Sequence, residues 1–280
     1  MYTQSQNTRN ILQVAIRIST NLTVLKNCGK MANRNDTLVL FDVDGTLSAS
    51  RKKANPEMIK LVLENLKAKA NIGIVSGSDL SKTSEQLGDN IINEYDYVFS
   101  ENGTVAYHNG QLIARESIAK FLGEKKVGEF TSFCQVYMGK LELPIKRGNF
   151  IEHRNGLINL CPPGRTVSQQ HRDEFGELDK EKHIRKDFVK ALKEHFKGEK
   201  DLGLNYAIGG QISIDAFPHG WDKRFCLKYV EGKYKVIHFF GDQTAEGGND
   251  HEIFNDPRTV GHTVQNPDDT MKQLKEIFDL

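Results

Sequence analysis

Short, unbroken apolar runs, each stopped by a small polar turn, recur along this chain and give the first handle on its architecture. Thr37-Leu38-Val39-Leu40-Phe41 runs directly into Asp42. It shows no alternation of polar and apolar positions, so both faces are expected to be buried, as in a strand of a parallel sheet. Ile72-Gly73-Ile74-Val75 stops at Ser76-Gly77-Ser78, Tyr97-Val98-Phe99 makes a third run, and Val236-Ile237-His238-Phe239-Phe240 stops at Gly241-Asp242. Between the runs the period lengthens to that of a helix. Asn55-Pro56-Glu57 offers an N-cap followed by proline at the first helical position, and Met58, Leu61, Val62 and Leu66 then return on one face. Ser81 to Leu87 reads as a second helix. Strand and helix in alternation predict a doubly wound α/β, Rossmann-like core, in which functional groups collect beyond the carboxyl ends of the strands.

The texture changes in the middle. Residues 115–217 carry long amphipathic stretches, such as Glu181 to Phe196, and two strand-like pieces, Asn149 to Ile158 and Gln211 to Phe217. This predicts an α+β domain inserted into a discontinuous core made of residues 34–114 and 218–280, free to act as a lid. Residues 1–33 stand apart as an N-terminal extension, expected to be disordered. Met1 to Asn35 holds no acidic residue, while Arg9, Arg17, Lys26, Lys30 and Arg34 lie among Ser, Thr and Asn. That composition resembles an organelle transit segment, and Met31 offers an alternative start just before the first strand.

Bulk properties narrow the classes further. A net charge of +1 gives no global attraction to nucleic acid, and no apolar run approaches the roughly 18 residues that would cross a bilayer. Cys28, Cys134, Cys161 and Cys226 are scattered with no C-x-x-C pair, which speaks against a disulfide framework or a zinc site and fits a reducing, cytoplasmic setting.

The chemistry is concentrated in turns. Asp42-Val43-Asp44-Gly45-Thr46 puts two carboxylates at the end of a buried strand, an arrangement a hard divalent cation such as Mg²⁺ would stabilise. A carboxylate in such a loop can also serve as the nucleophile of phosphoryl transfer. The bland alternative for a lone D-x-D is a solvated turn. Ser76-Gly77-Ser78 offers hydroxyl and N–H groups to phosphoryl oxygens, Lys223 offers a cation, and Gly241-Asp242 and Asn249-Asp250 bring further carboxylates. Within the insert, Lys140, Lys146, Arg147, Arg154, Arg165 and Arg172 face only Glu142 and Glu152, a cluster suited to bidentate phosphate binding or to nothing more than a solvated basic face. Ser213 and Asp215 alternate on one face of a strand and can hydrogen-bond sugar hydroxyls, with Ile212 and Ile214 turned the other way.

Asp42-Val43-Asp44-Gly45-Thr46 resembles the signature loop of the haloacid dehalogenase superfamily. The resemblance implies that Asp42 is the nucleophile and Asp44 the general acid/base, with Mg²⁺ contacting Asp42, the backbone carbonyl of Asp44, and Asp242. It further gives Lys223 the task of neutralising charge at Asp42 and the phosphoryl group.

Phe99-Ser100-Glu101-Asn102-Gly103, Phe150 to Gly156, Gly209-Gly210-Gln211-Ile212-Ser213 and Phe239 through Phe254 resemble, more narrowly, eukaryotic-type phosphomannomutases. The likeness runs from about residue 36 to the C-terminus and departs at Leu47 to Arg51 and at Ser76, where that family has a proline-containing turn and a glycine. It implies Ser78 as the phosphate-holding hydroxyl, and Arg154, Arg165 and Arg172 of the cap with Arg51 of the core as substrate-phosphate ligands. It also implies Ser213 and Asp215 at the sugar, and a second, structural cation at Phe254, Asp256 and Thr259. Mannose 6-phosphate and mannose 1-phosphate would be interconverted with a hexose 1,6-bisphosphate activator, supplying GDP-mannose synthesis, by a homodimer paired through the cap. A sugar-phosphate phosphatase and a non-catalytic phosphosugar-binding protein are the rival readings.

Overall fold

In the computed structural model the described residues are 34–280; the N-terminal extension read from the sequence lies outside them. The first apolar run forms β1 (Thr37–Phe41), buried along its whole length, followed by β2 (Asn71–Val75), β3 (Tyr97–Ser100), β4 (Val105–His108) and β5 (Gln111–Arg115). A smaller set follows: β6 (Ile151–His153), β7 (Ile158–Leu160), β8 (Leu204–Gly209) and β9 (Ser213–Pro218). The chain then returns as β10 (Val236–Gly241) and β11 (Val260–Thr263). The larger sheet has the order β11-β10-β1-β2-β3-β4-β5, parallel from β11 to β3 and antiparallel beyond, and the smaller has β6-β7-β9-β8, antiparallel throughout.

β1 owes its place between β2 and β10 to having no polar face to show water. Val39 and Phe41 pack to one side with Ile72, Ile74, Met58, Val62 and Leu274, while Leu38 and Leu40 pack to the other with Val75, Phe99, Phe239, Cys226 and Leu227. Two apolar faces require two covering layers, which is the doubly wound arrangement. The helix read at Asn55 is present as α1 (Pro56–Lys60), with Asn55 Oδ1 accepting from Glu57 N at 3.0 Å, and it continues through a π turn (Leu61–Asn65). α2 (Leu80–Leu87) starts from Asp79, whose side chain accepts from Lys82 N.

The smaller sheet is covered by α3 (Ile118–Leu122), α4 (Glu124–Lys140) and α6 (Ile184–His195), while α5 (Gln169–Lys182) packs through Phe175 with Cys161, Val167 and Ile212; α7 (Pro267–Phe278) closes the chain against the larger sheet. Phe130, Cys134, Phe188 and Leu192 pack on Ile158, Leu160, Ile214 and Ala216 to form a core of its own.

Several local expectations are corrected. The strand-like piece from Asn149 to Ile158 is a hairpin, because the chain turns back between β6 and β7. The piece from Gln211 to Phe217 begins as a turn after β8, and its strand runs Ser213–Pro218. The amphipathic stretch from Glu181 to Phe196 is interrupted at His183, left-handed at φ 53°, where Asp179 takes both N and Nε of Arg185 and reaims the chain. The β4–β5 hairpin went unread although Asn109-Gly110, with φ 49° and 78°, is a strong two-residue hairpin signal. Among the described residues no helix is long and apolar enough to cross a membrane.

Candidate active site

The parallel strands deliver their carboxyl ends to one place. Asp42 follows β1 and its N–H donates to Phe240 O at 2.9 Å, which holds the Asp42 turn beside the Gly241-Asp242 end of β10. Oxygens of Asp42, Asp242 and Asp250 lie within 4.8 Å of one another. The Lys223 ammonium, 1% exposed, sits between two of them, donating at 2.5 Å to Asp42 Oδ1 and at 2.5 Å to Asp250 Oδ1. Burial pushes the Asp42 carboxyl up, to about 7, against the attraction of Lys223 and with the repulsion of Asp250. Burial also works against the Lys223 ammonium, but Asp42 and Asp250 outweigh it and hold its pKa above the ordinary value. One ammonium thus serves two buried carboxyls, which leaves the cluster with a deficit of positive charge.

This deficit is what a divalent cation would make good, and three features fit one. Asp242 Oδ1 is buried without a hydrogen-bond partner among the described residues. The three carboxyls are close enough to share one ion. Gly45, at φ 81°, brings bare backbone against them, since a Cβ there would lie 2.4 Å from Asp242 Oδ2. Asp250 was read from the sequence only as a following carboxylate; the fold brings it into the cluster by a loop in which Asp250 Oδ2 accepts Gln243 N at 3.0 Å.

Asp44 turns away from this cluster, so the two carboxylates of the D-x-D do not face each other across one ion. Asp44 Oδ1 accepts Arg51 N at 2.7 Å and Gln86 Nε2 at 2.8 Å, and Lys82 Nζ lies 3.7 Å from Oδ2. Burial raises its pKa, but these donors and the Lys82 charge outweigh burial and keep the carboxyl below its usual range. Lys82 Nζ also donates to Ser78 Oγ at 3.0 Å, whereas the buried Ser76 Oγ accepts Ser78 N at 3.0 Å and is occupied within the turn. Gln86 and Lys82 were missed from sequence. Their spacing of four on α2 puts both on the face toward Asp44, but neither belongs to a motif that would announce it. The exposed Arg51 lines, with Lys52, Lys53 and Lys82, a cavity of about 570 Å³ beside them.

The smaller sheet gathers the other predicted residues into a connected set. Glu152 Oε2 accepts from Arg154 Nη2 at 3.0 Å and lies 2.9 Å from Arg165 Nε. Arg165 Nη1 donates to Asn159 Oδ1 at 2.7 Å, and Asn159 Nδ2 donates to Asp215 Oδ1 at 2.5 Å across the β7–β9 register. Arg172 Nη2 donates to Arg165 O at 2.6 Å. Ser213 is buried, with Oγ donating to Gly209 O at 3.1 Å across the β8–β9 pairing. Arg147 remains apart and exposed beside Lys146 O. In the turn after Phe254, Arg258 covers both oxygens of Asp256 at 2.8 Å each, and Thr259 Oγ1 donates to Ile253 O at 2.5 Å.

Comparisons with known proteins give the chain's family. The sequence profile described as eukaryotic phosphomannomutase matches residues 59–280. A protein of Glycine max named phosphomannomutase is 53% identical over 247 residues, covering 88% of this chain and 98% of that one. One of Schizosaccharomyces pombe with the same name is 52% identical, covering 87% and 95%. Among solved structures, the IMP-nucleotidase of Plasmodium falciparum superposes with a TM-score of 0.59 at 18% identity, covering 88% of this chain and 63% of that one. The trehalose-6-phosphate phosphatase of Aspergillus fumigatus gives 0.55 at 15% identity, covering 88% and 94%. At such identities these two speak to the α/β fold alone. Built around a buried Asp42–Lys223–Asp250 centre and matched over most of its length, the chain belongs to the eukaryotic phosphomannomutase family.

Proposed function

We propose that this protein interconverts mannose 6-phosphate and mannose 1-phosphate by two phosphoryl transfers through Asp42. The observation that carries the reading is the division of labour between two aspartates two residues apart. Asp42 is buried against Lys223, while Asp44 is turned to α2 with one oxygen held by two donors. In the forward step the phosphorylated Asp42, primed by hexose 1,6-bisphosphate, gives its phosphoryl group to the free hydroxyl of a hexose monophosphate: the Asp42–phosphorus bond breaks as the sugar P–O bond forms, and the hydroxyl proton goes to the Asp44 carboxylate. In the second step the bisphosphate so formed has turned round, an Asp42 carboxylate oxygen attacks phosphorus at the other position, and the leaving sugar oxygen takes that proton back from Asp44. Lys223 and the Ser78 turn offset the charge on the transferring oxygens, which is where most of the catalysis in phosphoryl transfer lies. Asp42, Asp242, Asp250 and the Asp44 carbonyl would hold Mg²⁺, which when bound supplies further positive charge to the phosphoryl oxygens.

Between the steps the sugar must be held by whichever phosphate is not reacting. Arg154, Arg165 and Arg172 are suited to this because their donors are tethered to one another through Glu152 and the Arg165 carbonyl, with Arg51 contributing from the core side. Asp215 and Ser213 would meet ring hydroxyls. We read residues 115–217 as the mobile cap over residues 34–114 and 218–280, and a homodimer through that cap. The Phe254–Thr259 turn would bind a second cation only through its carbonyls and Thr259, since Arg258 already matches the Asp256 charge. Net supply of mannose 1-phosphate toward GDP-mannose in the cytoplasm follows from this reading.

The deciding experiment supplies mannose 1-phosphate, Mg²⁺ and a trace of hexose 1,6-bisphosphate labelled in its phosphate. Mannose 6-phosphate carrying label from the activator is expected. Inorganic phosphate formed without isomerised sugar, and no response to the bisphosphate, would establish the phosphatase instead.

A further inference from the structure

Glu101 takes part in neither the phosphoryl chemistry nor the sugar subsite, yet its setting is heavily constrained. It opens a run of three left-handed residues, Glu101 at φ 50°, Asn102 at φ 61° and Gly103 at φ 93°. A glutamate adopts that backbone only where its surroundings impose it. Its side chain is buried, and among the described residues no lysine, arginine or histidine forms an ion pair with it. Both carboxyl oxygens are spent instead across the boundary between the two sheets. Oε1 accepts from Asn155 Nδ2 at 2.8 Å and Oε2 from Gly156 N at 3.2 Å. These are the residues directly after Arg154 in the β6–β7 turn. On its other side Glu101 N donates to Ser78 O at 2.9 Å, and Asn102 N to Ser76 O at 2.8 Å. One residue therefore grips both the turn that bears Ser78 and the turn that bears Arg154.

The neighbouring contacts make the spot a pivot. Asn155 O accepts from Ile118 N at 2.7 Å, and Thr104 O from Glu116 N at 2.7 Å, so the outgoing crossing after β5 is pinned here. Asn102 Nδ2 reaches Trp221 O, on the returning crossing, at 3.5 Å. Gly156 lies so close that a Cβ would stand 2.7 Å from Thr104 Oγ1. Both passages between the sheets run beside one three-residue turn. A rotation of the smaller unit about this turn would leave the Glu101 contacts intact while moving everything farther out.

We propose that Glu101 is a positioning residue for the phosphoryl transfer, the fixed point that sets Arg154 in register with the Ser78 turn while the cap moves. The inference rests on the mutase reading, in which the sugar bisphosphate must turn around while water is kept from the phosphorylated Asp42. A loosened pivot would therefore appear as weaker grip and as leakage to water, not as slower chemistry.

The test compares Glu101→Gln and Asn155→Ala, which damage the same contact from opposite sides, and their double variant. Phosphorylation of Asp42 by acetyl phosphate is expected to stay within about twofold of wild type, because it needs no cap arginine. KM for mannose 1-phosphate and the ratio of inorganic phosphate released to sugar isomerised should each rise about tenfold, as for loss of a charged hydrogen bond. The double variant should be no worse than the more damaged single one. A lowered melting temperature with KM and the release ratio both at wild-type values would overturn the proposal and leave Glu101 a structural residue. Loss of acetyl phosphate reactivity in both variants would overturn it too. Should the wild-type chain release phosphate without isomerising sugar, the mutase reading falls. The pivot is then decided by KM alone, supported by the tenfold rise and overturned by its absence.

Discussion

Asp42 and Lys223 are 181 residues apart in sequence, yet they share a hydrogen bond inside a cluster that holds more carboxyls than cations. Asp42→Asn removes the oxygen proposed as the nucleophile and one negative charge while keeping size and shape. Turnover is expected to fall below about 10⁻³ of wild type, a loss of at least ~4 kcal/mol in transition-state stabilisation, with no base-labile phosphoprotein detectable on a gel. Retention of a few per cent of the rate would remove Asp42 from its role. Gln86, almost wholly buried, holds Asp44 and Ser48 at once, at 2.8 and 3.1 Å. Gln86→Leu should release Asp44 and slow transfer from hexose bisphosphate by about tenfold, a modest part of what general acid catalysis contributes. Transfer from acetyl phosphate, whose leaving group needs no proton, should hardly change, so the ratio of the two rates is the measurement. Asp42 and Asp44 were legible because a motif and a buried run announce them together. Gln86 and Asp250 were not, since only the packing of α2 and the loop after β10 aims them.

The same distinction holds for whole elements. β1, β2, β3 and β10 were readable because an unbroken apolar run has few other fates, whereas the exposed β5 and the half-buried β11 carry no such signal. β11 is instead held against β10 partly by a pair of imidazoles, His238 Nδ1 and His262 Nε2, 2.8 Å apart. Burial keeps both rings neutral, lowering His238 to about 3, with His262 adding to the effect, and His262 to about 4. An unfolded chain would protonate both near 6.5, so it binds more protons than the folded one below that pH. Their contribution is thus complete above about pH 6.5 and drains away as the pH falls toward 4, by at most ~1.4 kcal/mol per unit for each ring. Melting temperature followed from pH 7 to pH 5 should decline, and His262→Gln should flatten the decline; an unchanged slope would mean the pair does not govern acid stability. On the smaller sheet, Arg185 joins α6 to the β8–β9 turn, donating to Asp179 and to Gly210 O at 2.9 Å. Arg185→Leu leaves the buried Asp179 carboxyl without its counter-charge, held only by the backbone N–H of residue 185, and a loss of about 3 kcal/mol in denaturant unfolding is expected.

Across the whole molecule, the arginines of the cap and the carboxyls of the core form separate networks. Arg172→Ala should accordingly weaken binding of sugar phosphates by about ten- to a hundredfold. It should leave phosphorylation by acetyl phosphate intact; equal losses with both donors would place Arg172 in the chemistry. The contacts that join the two sheets were not legible in the sequence, because Glu101, Asn155 and Thr104 carry no pattern that marks a junction. The sheet order has a further consequence, for synthesis. β1 emerges early and acquires β2 soon afterwards, but its other edge is completed only by β10, on the far side of the entire smaller sheet. At ribosomal speeds of about 5–20 residues per second, the 181-residue interval between Asp42 and Lys223 takes roughly 10–40 s to make. During that time a wholly apolar strand edge stands open and Asp42 has no counter-charge. The smaller sheet, with all four strands drawn from the intervening segment, can complete itself first. The nascent chain can therefore complete its smaller sheet before Asp42 meets Lys223, and until β10 arrives the open edge of β1 is exposed to pairing with other chains.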